Sequence, residues 1–582
     1  MVLDTYTHWL SCVNDDEKAE LIAIKDNIVE INERFSQELA FGTAGMRGEV
    51  GLGLFRMNVY TVRWATAGLA GFIASFGEDY KKRGVVIAYD TRRFSREFAF
   101  AAAETLASFC INSLIFEDTR PVPMCSFAVR HYNAAAGIMI TASHNPKEYN
   151  GYKVYGEDGA QMSTDSTQAV VNYISQIKDY FSIKHITISD IESCRGKDNF
   201  PLNDYVVVIG KSLDVAYFDV IEKLSLSPEL VSKYGNELKL VYTPIHGSGY
   251  MPVTTILKRL GISVEIVPEQ ILPDTEFSTV DVPNPENPNT MKLSVSLAEK
   301  IGAEVALATD PDADRLGVAV KNDSGNFVLL SGNLIGVLLL DYILSRLVES
   351  NSLPKNAAVI RSIVSTTLAD RIARSYNVPC FSVLTGFKYI GEKIKEWEAS
   401  GEYTYVFGFE ESYGSLCGTH ARDKDAVVGA MLFAEMLIYY KHLNKSIFAR
   451  LNEIYSKFGY YTEKNISISY KGISAMSDMK AVMNNLRKDK ITKIASEKVV
   501  SISDYLLNTK YIVPTNSTIP INSPKSDVLY IELPNEQFVC IRPSGTEPKL
   551  KIYALVCASS DLESQSKANI IAAEIEKLCS VV

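Results

Sequence analysis

The chain has 582 residues, of which 47% are apolar and 22% charged, with a formal net charge of −10. At roughly 150 residues per domain that length makes about four domains, and the composition excludes disordered, collagenous and disulfide-rich secreted classes. The acidic sum argues against wholesale binding to nucleic acid or an anionic membrane surface, but a small phosphorylated metabolite in a locally basic cleft remains compatible with it. Nine cysteines without a C-x-x-C pair read as reduced, intracellular usage. No basic-then-apolar leader opens the chain, and the most apolar stretch, 334–340, stops at Asp341, short of the ~18 residues a membrane span needs. The expectation is a cytoplasmic protein with neither nucleic-acid nor membrane partners.

Taken in chain order, the first forty residues read as helix, with Asp15 and Asp16 as cap and Leu21, Ile22, Ile24, Ile28 and Ile31 near helical spacing. FGTAGMRGEVGLG (41–53) is too rich in glycine for regular structure and reads as loop. GVVIAYD, a helical stretch and SLIFED follow as strand, helix and strand, the length of a right-handed crossover, and predict a parallel sheet. AAAGIMIT (134–141) is another buried strand running into the loop SHNPKEYNG. A second cycle holds strands at LKLVYTP, SVEIV and AEVALATD (303–310), with a proline-rich extended loop at 271–288. A third, about 328–455, offers AAVIRSIVS, PCFSVLT and YTYVFGFE. The remainder, with DVLYIELP, FVCIRPSG and LKIYALVC, suggests a smaller α+β domain. The boundaries so drawn are 1–205, 206–327, 328–455 and 456–582.

The unusual loops sit at the C-terminal ends of strands, where open α/β sheets collect ligands. In DPDADR (310–315), carboxylates at alternate positions after a buried strand can converge on one hard cation. Arg315 and Lys321 stand where an EF-hand would need Gly and Glu, so open-sided Mg²⁺ shared with a phosphoryl group fits better than calcium. In TASHNP (141–146), with Asn150, Gly151, Tyr152 and Lys153 behind it, Ser143 is a nucleophile or phosphoryl carrier, or merely opens an Asn-Pro turn. RPSGTEP (542–548) has the parts of a phosphate clamp, a guanidinium with two hydroxyls and a flexible glycine. GFEESYG (408–414) sets carboxylates and a hydroxyl where a polyol could be bound, and HARDKD (420–425) follows with His, Arg and Lys. G-x-x-x-x-G-K-[ST] does not occur, which favours phosphoryl transfer without a nucleotide.

Together, FGTAGMRG, TASHNPKEYNGYK, DPDADR, GFEESYG and RPSGTEP resemble, in order and rough spacing over essentially the whole chain, the α-D-phosphohexomutase superfamily, in its long phosphoglucomutase/phosphomannomutase branch. The resemblance implies an α/β protein of four domains around a central cleft: three related mixed-sheet α/β domains carrying in turn the phosphoserine, metal and sugar loops, and a smaller C-terminal α+β domain carrying the phosphate loop. It implies a phosphoserine at Ser143, with Mg²⁺ held by Asp310, Asp312, Asp314 and that phosphoserine. It also carries over His144, Lys153, Arg47 and His420 as catalytic groups. Arg315, Thr385, Gly386, Lys388, Glu410, Ser412, Arg422, Lys424, Arg542, Ser544, Gly545 and Thr546 are carried over as substrate contacts.

The implied activity interconverts α-D-glucose 1-phosphate and D-glucose 6-phosphate, with glucose 1,6-bisphosphate as intermediate and activator and a small phosphosugar as the partner. A serine carrier makes chemical sense because the two oxygens lie on opposite sides of the sugar, so the bisphosphate must turn end for end between transfers. A lysine lowered by neighbouring cations, or His420, would be the base. Phosphomannomutase and phosphopentomutase activity are the alternatives within the class; a sugar-phosphate phosphatase, or an inactive paralogue serving as a scaffold, lie outside it.

Overall fold

The computed structural model describes residues 2–42, 45–188, 192–470, 474–489, 491–544 and 549–580. It divides into two compact units, Met1–Ile360 with Gly386–Ser446, and Arg361–Thr385 with Ile447–Val582.

In the first unit the N-terminal helical stretch is broken into three helices, Val2–Cys12, Asp15–Ala23 and Ile28–Phe35. The cap of the second is Asn14, not the aspartates: its side chain accepts from the Glu17 N–H and Glu17 reaches back to the Asn14 N–H, so Asp15 and Asp16 fall in the first turn, where negative charge also suits the helix dipole. The first sheet contains β1 (Gly45–Glu49), β2 (Val85–Tyr89), β3 (Ser113–Phe116), β4 (Ala136–Ile140), β5 (Tyr149–Gly156), β6 (Phe200–Pro201) and β7 (Val206–Ile209). Their order is β1-β5-β4-β2-β3-β7-β6. β4, β2, β3 and β7 run parallel, as the crossover pattern requires, while β1, β5 and β6 pair antiparallel at the margins. The sheet is therefore mixed, and two segments read as loop are strand.

The reason is tertiary. β5 carries Asn, Gly and Lys but gains a full ladder by lying between β4 and β1, with Arg47 opposite Gly151. The glycines that made β1 look irregular are what allows it to approach: at Gly45 (φ +140°) an added Cβ would fall 1.9 Å from the Tyr152 carbonyl oxygen. The central parallel strands β2 and β4 are buried along their whole length, and the core beneath them takes the Asn58-capped helix Val59–Ala74 and the helix Ser95–Ser108.

The second sheet holds β8 (Leu240–Thr243), β9 (Val264–Ile266), β10 (Val305–Thr309), β11 (Leu316–Lys321) and β12 (Phe327–Leu329) in the order β12-β11-β10-β8-β9. β9, β8 and β10 are parallel; β11 folds back antiparallel on β10, leaving 310–315 as the tight connection between them. In the third α/β segment β13 spans Ala357–Ser362, β14 Cys380–Val383, β15 Thr404–Phe409 and β16 Ser415–Cys417. β15 and β16 form an antiparallel pair whose connection is the 410–414 loop. The buried helix Ala426–His442 follows, capped by Asp425 through the Val427 and Val428 N–H groups.

The second unit is built on one antiparallel sheet. It contains β17 (Tyr460–Ser469), and, after the small ribbon of β18 (Lys493–Ile494) and β19 (Glu497–Lys498), β20 (Ser501–Asp504), β21 (Thr509–Ile512), β22 (Ser517–Pro520), β23 (Leu529–Glu532), β24 (Phe538–Pro543) and β25 (Lys549–Ala558). The order is β17-β25-β24-β23-β20-β21-β22, with the helix Asp561–Ser580 packed on β17 and β25. Among the described residues no single helix is long and apolar enough to cross a membrane.

Candidate active site

Three strand-end loops of the first unit meet. Asp310, Asp312 and Asp314 are buried, and one oxygen from each lies within 4.8 Å of the others. Asp310 Oδ1 accepts from the backbone N–H groups of Asp314 and Arg315, both at 3.1 Å, which curls the loop so that its carboxylates converge. Ser143 comes from the end of β4 and donates its hydroxyl to Asp310 Oδ2 at 2.9 Å, with His144 Nδ1 3.1 Å from Ser143 Oγ. Lys153, on β5, reaches Asp312 at 2.8 Å and Asp314 at 3.6 Å. Lys424, from the turn before the helix Ala426–His442, reaches Asp314 at 3.2 Å and Asp423 at 3.0 Å. Its passage requires Gly414, where a Cβ would lie 2.0 Å from Lys424 Cδ. Arg47, on β1, donates to Asn145 Oδ1 at 2.7 Å, and Arg315 pairs with Glu286 at 2.6 Å.

The loops are strained in one consistent way. Ser143, Ala313 and Tyr413 all adopt left-handed backbone, at φ 53°, 45° and 68°, a region disfavoured for residues with a Cβ and recurrent at functional sites.

The electrostatics follow from crowding. Burial, then Asp312 and Asp314, push Asp310 well above the ordinary carboxylate range. Asp314 is held below it: burial opposes this, but Lys424, Lys153 and Arg315 prevail. Burial alone would lower Lys153 and Lys424; the carboxylates outweigh it and both are raised. This reverses the lowered lysine expected from the sequence, because the nearest charges are negative. His144 is held well below its usual value by burial and by Arg315 and Arg47, so its imidazole is neutral. Glu410 is raised by burial, against the pull of Lys424 and of the Gly386 N–H, which donates to its Oε1 at 2.7 Å.

The donor set fits a hard divalent cation. Asp312 Oδ1 and Asp314 Oδ1 are buried with no hydrogen-bond partner, a costly state for carboxylate oxygens unless a cation completes them.

Other expected site residues fall elsewhere. His420 Nε2 is 2.7 Å from Asp425 Oδ2, which also accepts from Tyr217; the imidazole is locked on a helix-capping carboxylate. Arg422 donates to the Thr419 and Ala421 carbonyls and pairs with Glu398, away from the triad. The Lys388 ammonium lies 4.8 Å from the centre of the Tyr389 ring, lowered by burial. Ser412 is half-buried in the loop after β15. In the second unit Thr385 Oγ1 is buried without a hydrogen-bond partner. Arg542 donates to the Tyr553 hydroxyl at 3.1 Å, and the Ser544 N–H donates to the Lys549 carbonyl. Gly545 and Thr546 lie outside the described residues.

Sequence reasoning passed over Asp423, which accepts from Tyr155 at 3.0 Å and Gln161 at 2.9 Å while holding Lys424. It also passed over Asp90 and Arg92, which lie behind Ser143. The available signal was YDTRR, a charged string delivered by a fully apolar strand.

Comparison with known proteins agrees with this geometry. Three domain families, described as phosphoglucomutase/phosphomannomutase alpha/beta/alpha domains I, II and III, match residues 38–181, 216–325 and 331–458. A phosphoglucomutase of Staphylococcus aureus (strain USA300) is 37% identical over 556 residues, covering 95% of this chain and 96% of its own. Among solved structures, a phosphoglucomutase/phosphomannomutase family protein of Burkholderia thailandensis superposes with a TM-score of 0.65 at 18% identity, covering 92% of this chain and 96% of that one. The open form of the Paramecium phosphoglucomutase parafusin gives 0.66 at 17%, covering 93% and 95%. The chain belongs to the phosphoglucomutase/phosphomannomutase family of the α-D-phosphohexomutase superfamily, and is an isomerase that works by intramolecular phosphoryl transfer.

Proposed function

We propose that this phosphohexomutase interconverts α-D-glucose 1-phosphate and D-glucose 6-phosphate, with Ser143 as the phosphoryl carrier and glucose 1,6-bisphosphate as the intermediate. The observation that carries the reading is Ser143 Oγ, set 2.9 Å from Asp310 Oδ2 beside a buried triad ringed by Lys153 and Lys424. The phosphoglucomutase name of the 37% identical relative supports glucose as the sugar.

Asp310, Asp312, Asp314 and the Ser143 phosphate would hold Mg²⁺, which when bound neutralises charge on the phosphoryl oxygens. The chain's own residues do the rest. Lys153 and Lys424, raised by their carboxylate neighbours, keep their protons and add fixed positive charge where a loose phosphoryl transition state spreads its negative charge. Arg47 and Arg315 extend that field. Neutral His144, 3.1 Å from Ser143 Oγ, orients the carrier hydroxyl. Glu410 and Ser412 read ring hydroxyls, and Arg542 with Ser544 takes the phosphate that is not being transferred. Glucose and mannose differ at C2, whereas a reader that accepts both orientations of the bisphosphate grips C3 and C4, so the two hexoses should be separated only modestly.

Steady-state rates on glucose, mannose and pentose 1-phosphates, with glucose 1,6-bisphosphate as activator, test this. Turnover should be highest on glucose 1-phosphate with no steady release of inorganic phosphate. A preference for another sugar would move the enzyme within its family, and phosphate release without isomerisation would make it a phosphatase.

A further inference from the structure

Behind the Ser143 loop lies a buried network that touches neither the Ser143 hydroxyl nor the triad by a hydrogen bond. Arg92 follows β2, and its side chain is fully buried. Its Nη2 donates to the carbonyls of Ser143 at 2.6 Å and Asn145 at 2.5 Å, and its Nη1 to those of Pro146 at 2.8 Å and Tyr149 at 3.0 Å. One guanidinium thus binds three carbonyls of the loop that joins β4 to β5 and that of the first residue of β5. Its counterion is Asp90, 3.5 Å away, whose carboxylate also accepts from the Ser95 hydroxyl at 2.7 Å and the Thr141 hydroxyl at 2.6 Å. The Thr141 hydroxyl oxygen in turn accepts the Ser143 N–H at 2.8 Å. The N–H and the C=O of Ser143 are therefore both tied to the same buried ion pair, on either side of a left-handed φ of 53°. On its other side the Arg92 guanidinium lies 5.2 Å from the centre of the buried Phe277 ring, which comes from the proline-rich loop of the second α/β segment.

We infer that Arg92, anchored by Asp90 and assisted by Thr141, is a positioning residue for phosphoryl transfer, fixing the backbone of Ser143 so that its oxygen keeps one place through both half-reactions. The inference rests on the reading of Ser143 as the carrier. The physical need is specific to a carrier that gives its phosphoryl group to one hydroxyl and recovers it from another, because both transfers must be in line with one oxygen. A loop held only by its own turn would drift by an ångström, and misplacement of that size costs roughly a hundredfold in rate. Only arginine meets the demand. Its planar fork presents several donors at fixed angles, whereas a lysine ammonium is a point donor on a flexible stem and would leave buried carbonyls without partners.

The test uses the full-length enzyme and two variants, Arg92→Lys and Thr141→Val. Intact-mass and peptide mapping first establish whether phosphate sits on Ser143 of the wild type; its absence there would overturn the carrier reading and this inference with it. With the carrier established, single-turnover transfer from phosphoenzyme to glucose 1-phosphate is measured beside kcat and KM, and thermal melting reports folding. Arg92→Lys should melt as a folded protein yet transfer roughly a hundredfold more slowly, with KM within about twofold of wild type, because nothing that grips the sugar has changed. Thr141→Val keeps the side-chain shape and removes the acceptor for the Ser143 N–H; it should show the same split, smaller in size. Should Arg92→Lys fail to fold, Thr141→Val decides alone. Wild-type transfer rates in the folded variants, or a defect confined to KM, would overturn the inference.

Discussion

The triad centre and the strand end at Arg542 are both expected to handle phosphate, and they are built in opposite ways. Around Asp310–Asp312–Asp314 the carboxylates are buried, two lysines lie within 3.2 Å of them, and Ser143, the proposed carrier, is already hydrogen-bonded to Asp310. Arg542 and Ser544 are only half-buried at the end of β24, where Arg542 donates to the Tyr553 hydroxyl. A centre that performs chemistry must be pre-organised before the substrate arrives, since reorganisation then would add to the barrier. A grip on a spectator phosphate needs no such preparation. It must release and recapture its ligand as the bisphosphate turns over.

Removing charge from the pre-organised centre should therefore be the most damaging change. Ser143→Ala should abolish isomerisation, and Asp312→Asn should lower turnover by orders of magnitude while weakening Mg²⁺ binding, since one of three ligand charges is lost. Full activity in excess chelator would break the comparison at its root. Hydrogen exchange would sharpen it. Mg²⁺ alone should protect peptides across 141–153 and 310–316 and leave 538–555 unchanged, whereas a hexose phosphate should protect 538–555. Protection of both regions by the cation alone would show that the centres are not independently built.

Arg542→Ala should raise KM by about tenfold or more with little loss of kcat, as expected for loss of a charge-assisted phosphate contact worth ~1.5–3 kcal/mol; a pure kcat defect would assign that strand end to the chemistry. The sugar loop stands between the two extremes, with Glu410 already held by the Gly386 N–H. Glu410→Gln and Ser412→Ala should each depress kcat/KM on glucose and mannose phosphates together by about tenfold, from the ~1–3 kcal/mol cost of a lost buried partner. Loss on one hexose alone would mean that this loop discriminates rather than merely holds.

The smallest effect concerns stability. Glu435, fully buried on the helix Ala426–His442, accepts from Ser225, the Leu226 N–H and Tyr342, yet burial outweighs those bonds and raises its pKa above 4.5. A carboxyl raised on folding is favoured in its protonated form. Its contribution is full below the unfolded value and is lost as pH rises through the folded one. Glu435→Gln should therefore gain melting temperature relative to wild type as pH rises above 4.5. A difference that is flat with pH would show that its hydrogen bonds fully offset the burial.

The chain by itself determined the parallel strands, whose unbroken apolar runs have no stable place except a buried sheet. It also determined the chemistry-bearing strings TASHNP, DPDADR and GFEESYG, because each is contiguous and closes a strand. Local order could not reveal β1 and β5, whose glycines and polar residues become strand only by pairing with each other and with β4. Nor could it separate neighbours in HARDKD. His420, Arg422 and Lys424 lie within five residues, yet only Lys424 reaches the triad, because the turn sends His420 to Asp425 and Arg422 to backbone carbonyls and Glu398. Asp423 meets Tyr155 across 268 residues, and Arg92 meets Ser143 across 51. Composition and periodicity report what a residue needs from its surroundings, burial or water; which partner satisfies a buried charge is decided only when the fold brings one within reach.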